Sequence, residues 1–130
     1  MSRTFAMILS VDWQEAPSDG NDIMNDQALQ VFVTFPTCES AESIAQGLVA
    51  NHLAACVQII GPIKSIYRWQ GQIESANEWL CLIKTTREAF EKLRDFIKSH
   101  HSYEVPEIVA VPICEGIAAY LQWLRQSVVA

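Results

Sequence analysis

The chain has 130 residues, half of them hydrophobic and 18% charged, with a net charge of −6 at neutral pH. That composition supports one folded domain with a tail and excludes global disorder. The acidic balance argues against nucleic acid, whose phosphates require Lys and Arg, and against an anionic membrane surface.

No run approaches the roughly 20 apolar residues of a membrane span, and the opening MSRTFAMILSVDW carries no convincing cleavage site. Residues 1–27 are expected to form a flexible N-terminal arm, because Trp13–Gln27 (WQEAPSDGNDIMNDQ) is polar, acidic and rich in turn formers. Residues 28–130 are then the folded domain. Gln30–Phe35 (QVFVTF) is a β-branched and aromatic strand. From Ser40 to Leu53, Ala41, Ile44, Ala45, Leu48, Val49 and Leu53 follow helical spacing, with Glu39 and Glu42 at the favourable N-terminal end of the dipole. Ala55–Ile60 is a second strand that Gly61-Pro62 bends or bulges and Ile63–Gln70 continues. Gly71 marks a turn, and Gln72–Thr85 returns as the third strand. A second helix over Arg87–Ser99 buries Ala89, Phe90, Leu93, Phe96 and Ile97 on one stripe. Glu107–Ile113 is the fourth strand, with Pro112 at its end or on an edge, and a helix from Ile117 to about Val128 closes the chain.

The order βαββαβ plus a terminal helix predicts an α+β fold: a ferredoxin-like sandwich with a C-terminal helix and a long hairpin between the second and third strands. That hairpin is the unusual feature. Its first strand would run about 50 Å at ~3.3 Å per residue, whereas a domain of this size is roughly 35 Å across. An overhanging ribbon bearing Ile63, Ile66, Tyr67, Trp69, Ile73, Trp79 and Leu80 invites a second chain to pair with it, so a closed homo-oligomer is expected, two-fold or three-fold.

The segments LAACVQII, IKSIYRWQGQIE, LIKTT, KSHHSYEVPEIVAVPI and YLQWL, in that order, resemble the CutA divalent-cation tolerance family over about Gln30–Ser127. The resemblance implies a homotrimer of ferredoxin-like subunits, similar to the PII signalling proteins, which bind small effectors in clefts between subunits. It also implies a role in tolerance of copper or another divalent metal. The four scattered cysteines (Cys38, Cys56, Cys81, Cys114) form no CxxC pair and read as reduced thiols of a cytoplasmic protein.

In KSHHSYEVPEI, His100 and His101 are candidate metal ligands, since neutral imidazole suits copper and zinc. In the family's copper-binding picture a cysteine of the first strand joins them, but the matching position here is Phe35, with Cys38 three residues on. The competing reading is a helix stop, in which the imidazoles cap carbonyls at the dipole's negative end. Adjacent histidines in extended backbone would also point apart. Resemblance further places Cys56, Trp69, Lys84, Tyr103 and Glu107 near the intersubunit cleft, where they could hold a small ligand. Lys84 and Glu107 could instead form a cross-strand ion pair. A Cys–His–Glu set from Cys56 or Cys114 with His101 and Glu107 has the residue types for catalysis, but no spacing enforces it. No phosphate-cradling glycine loop, HExxH or nucleophile elbow is present, so no enzyme is expected.

Overall fold

The computed structural model describes residues 26–128, so the expected arm lies outside the described residues except for its last two. Seven elements follow one another: β1 (Ala28–Phe35), α1 (Cys38–Ala50), β2 (Cys56–Trp69), β3 (Gln72–Thr86), α2 (Arg87–His100), β4 (Ile108–Pro112) and α3 (Ala118–Ser127). The strands form one sheet in the order β2-β3-β1-β4, with every neighbouring pair antiparallel. This is the ferredoxin-like order that the element sequence predicts.

Strand alternation sends Val31, Val33 and Phe35 to one face, where they bury against Cys81 and Ile83 of β3. Ala41, Ile44 and Leu48 of α1 and Leu93 and Ile97 of α2 close that face. Helix α3 joins a second cluster, packing Trp123, Leu124 and Val128 against Ala28, Ala55 and Ala89. Helix α1 begins at Cys38 rather than Ser40 because Thr37 is its cap, the hydroxyl accepting from the Ser40 N–H at 3.0 Å. Such a cap contributes about 1 kcal/mol. Burying one Leu or Ile side chain contributes about 2 kcal/mol, so it is the apolar stripes that seat the helices.

The opposite sheet face has no covering layer among the described residues where Ile60, Val109 and Val111 stand about half exposed. Strand β1 accompanies β3 only from Thr86 to Trp79. Beyond that, β3 pairs with β2 alone, so Ile63–Trp69 and Gln72–Glu78 form a two-stranded ribbon projecting from the sheet. Its turn has positive φ at Gln70 and Gly71 (51° and 81°), the two-residue form that matches strand twist. The register slips between Ile60 and Ile63, at the predicted Gly61-Pro62 bulge. On the ribbon, Ile66 is 69% and Ile73 is 72% exposed.

Candidate functional site: an acidic, aromatic cleft at the root of the ribbon

A cleft of 670 Å³ opens where the ribbon leaves the sheet. Alternation along β2 and β3 past the bulge puts Tyr67, Trp69 and Glu78 on one face, and the loop from α2 to β4 adds Tyr103, Glu104 and Glu107. Among the described residues no lysine or arginine lines it. The three carboxylates have no ion-pair partner among those residues either.

A relay of polar contacts fixes the loop over the sheet. The Tyr103 N–H donates to His101 Nδ1 at 3.0 Å, so Nδ1 is unprotonated; Nε2 therefore carries the proton and donates to the Thr34 carbonyl at 2.8 Å. The imidazole stacks on Phe35 with ring centroids 4.6 Å apart and meets the Tyr103 ring at 4.7 Å. The Tyr103 hydroxyl then donates to Glu78 Oε2 at 2.7 Å. Burial, and next that bond to Glu78, push the Tyr103 phenol well above its ordinary range. Glu78 is only 7% exposed, and its second carboxylate oxygen, without a hydrogen-bond partner among the described residues, still touches solvent.

The two histidines do not meet as a pair. His100 ends α2, its Nδ1 donating to the Phe96 carbonyl at 2.8 Å and its ring stacking on Phe96. It caps the helix and leaves Nε2 facing solvent. His101, in extended backbone, turns the other way and has both nitrogens engaged. The aromatic ring of Phe35 fills the space beside His101 where the family picture would put a thiol. Cys38 is half-buried, and desolvation followed by Glu42 and Glu39 raises its thiol. Cys81 is pushed up to about 12 by burial and then by Cys38, so both stay protonated at neutral pH. Among the described residues no three His, Cys, Asp or Glu side chains converge to hold a metal ion.

Of the other expected residues, Trp69, Tyr103 and Glu107 line this cleft, whereas Cys56 and Lys84 pair in register on β2 and β3. They lie six positions along β3 from Glu78, about 20 Å at ~3.3 Å per residue. Lys84 donates to Gln30 Oε1 at 2.6 Å and Gln58 Oε1 at 3.1 Å rather than to Glu107. Burial lowers its pKa, and Cys56 partly offsets that. Sequence reasoning missed Glu78 and Tyr67 as cleft residues. The available signal was a carboxylate two residues before Leu80, on the same face of β3 as Leu80 and Leu82.

The profile of the CutA1 divalent ion tolerance protein matches residues 29–127. The chain is 52% identical over 97 residues to a divalent-cation tolerance protein CutA of Thermus thermophilus, covering 75% of this chain and 94% of the relative. A solved structure of the Cut A1 divalent cation tolerance protein from the same organism superposes with a TM-score of 0.77 at 50% identity, over 78% of this chain and 98% of that one. A chloroplastic protein CutA of Arabidopsis thaliana is 40% identical over 100 residues, 77% of this chain but only 55% of the relative's length.

Proposed function

Because this chain belongs to the CutA1 divalent ion tolerance family, we propose that it serves tolerance of divalent cations as a cation-binding homotrimer rather than as an enzyme. The observation that supports this reading is the cleft itself: three carboxylates, no cation to balance them among the described residues, and one carboxylate almost wholly buried. A divalent ion that keeps most of its water needs only one or two carboxylates, which fits weak and exchangeable binding. For Cu²⁺, the exposed Nε2 of His100 offers an imidazole ligand, while His101 serves by holding Tyr103 and through it Glu78. Four unpaired cysteines favour a reducing, cytoplasmic location, to be checked by cell fractionation. No helix among the described residues is long and apolar enough to cross a membrane.

Calorimetric titration of Cu²⁺ into the wild type, His100→Ala and Glu104→Gln/Glu107→Gln tests the reading. Weak saturable heat that falls in one or both variants is expected, and identical isotherms in all three proteins overturn it. A second reading, a PII-like signalling module, rests on cleft size, since 670 Å³ lies within the ~300–1,000 Å³ of small-molecule sites. It requires that some small molecule raise the melting temperature and that Trp69→Ala remove the rise.

A further inference from the structure

We propose that Cys56 and Lys84 form an oxidative modification site apart from the cleft, where a peroxide joins the two side chains through a reversible sulfur–nitrogen bond. The register sets Cys56, Lys84 and Gln30 in one row across β2, β3 and β1, so all three side chains leave the same face of the sheet. Directly opposed residues hold their Cβ atoms about 5 Å apart. The Lys84 amine stays over that row. It is tethered to Gln30 Oε1 at 2.6 Å and to Gln58 Oε1 at 3.1 Å, and Gln58 stands two residues beyond Cys56 on the same face of β2. Cys56 is half-buried and packs, with Tyr120, against the α3 cluster.

An oxidised cysteine needs a nucleophile to resolve it, and the fold places no second thiol on this row. Cys81 lies three positions from Lys84 on β3, hence on the opposite, helix-covered face, where it is buried. Cys38 opens α1 on that same helix-covered side. Cys114 follows β4, at the far edge of the sheet from β2. The nucleophile at hand is the Lys84 amine. In the first step the Cys56 sulfur attacks one peroxide oxygen, the O–O bond breaks and water leaves, giving a sulfenic acid. Sulfur is oxidised and the peroxide reduced. In the second step the neutral amine attacks that sulfur and the S–O bond breaks. The hydroxyl departs with a proton from the amine as water, and an S–N bond remains. Thiol, amine and one peroxide thus give a sulfenamide and two waters. The site favours the neutral amine, because burial lowers the Lys84 pKa and Cys56 partly offsets this only while its sulfur can carry charge. Conversion to a neutral sulfenic acid removes the offset. The product frees Gln30 and Gln58 from an ammonium and clamps β2 to β3 at the end away from the ribbon. A dithiol reverses it by reducing the S–N bond to thiol and amine and closing to a disulfide itself.

The test treats the full chain with hydrogen peroxide and maps unreduced proteolytic peptides by mass spectrometry. A Cys56 peptide joined to the Lys84 peptide is expected, with the intact chain about 2 Da below its reduced mass and restored by dithiothreitol. Cys56→Ser should lose the link. Lys84→Arg keeps the positive charge and the donors, but a guanidinium stays protonated and does not condense. Cys56 sulfenic acid should then persist and take up roughly tenfold more of the sulfenic-acid probe dimedone than in the wild type. Oxidation that bypasses Cys56 for Cys114 overturns the inference, as does a disulfide at Cys56 or equal dimedone labelling in wild type and Lys84→Arg. Should Lys84→Arg disturb folding, the linked peptide in the wild type and its loss in Cys56→Ser decide alone.

Discussion

His101 carries more of the site than its neighbour because two hydrogen bonds and two ring contacts converge on one neutral imidazole. Through it the Tyr103 hydroxyl is aimed at Glu78, and that bond has a consequence in alkali. An unfolded tyrosine ionises near pH ~10, while Tyr103 in the fold holds its proton to higher pH because of burial and Glu78. Above about pH 10 the unfolded chain therefore binds fewer protons than the native one, and stability falls as pH rises. Below that pH the advantage of the neutral phenol is complete. Denaturant midpoints measured from neutral pH to about pH 11 should decline more steeply for the wild type than for Tyr103→Phe. Equal slopes would show that this phenol does not carry the shift.

Among the elements, the hairpin tests how much a backbone position can demand of its residue. At Gly71 the positive φ of 81° penalises any side chain, so Gly71→Ala should cost about 1 kcal/mol, read from the denaturant midpoint. Gly61→Ala should cost more, about 1–3 kcal/mol, because its new methyl group would overlap the indole of Trp79 and push it off its packing. The reverse ranking would mean that the bulge yields more readily than the turn. Both glycines were legible as punctuation, and so were the strands and helices, since alternation and 3.6-residue spacing are local signals. The start of α1 was displaced by two residues because the Thr37 cap weighs more than the apolar pattern that begins at Ala41. The cleft was only half legible. Trp69, Tyr103 and Glu107 could be picked by resemblance, but the link from Tyr103 to Glu78 spans 25 positions. It depends on where the α2–β4 loop lands on the sheet, which no local period encodes. The histidine pair misled for a similar reason: neighbours in sequence stack on different rings, His100 on Phe96 and His101 on Phe35.

At the level of the whole molecule, the surface left unsatisfied points to association. Strands β2 and β4 are the free edges of the sheet, and the ribbon carries Ile66 and Ile73 into solvent. Half-exposed Ile60, Val109 and Val111 extend that apolar surface along the sheet face. Copies that lay a ribbon along a neighbour's free edge would satisfy both, and the family resemblance implies that three of them close the ring. Sedimentation of the wild type at nanomolar concentration should then give three times the 14.6 kDa chain mass. Ile66→Glu with Ile73→Glu should release smaller species, because buried like charges would repel where apolar contacts now meet. A lone wild-type protomer at that dilution would remove the trimer. The cleft is tied to the outcome, since Tyr67 and Trp69 belong to the same ribbon. If neighbours hold the ribbon in place, Ile73→Glu alone, at a position outside the cleft lining, should lose cation heat as it loses trimer mass. Dissociation with undiminished heat would instead show that one protomer builds the whole binding surface alone.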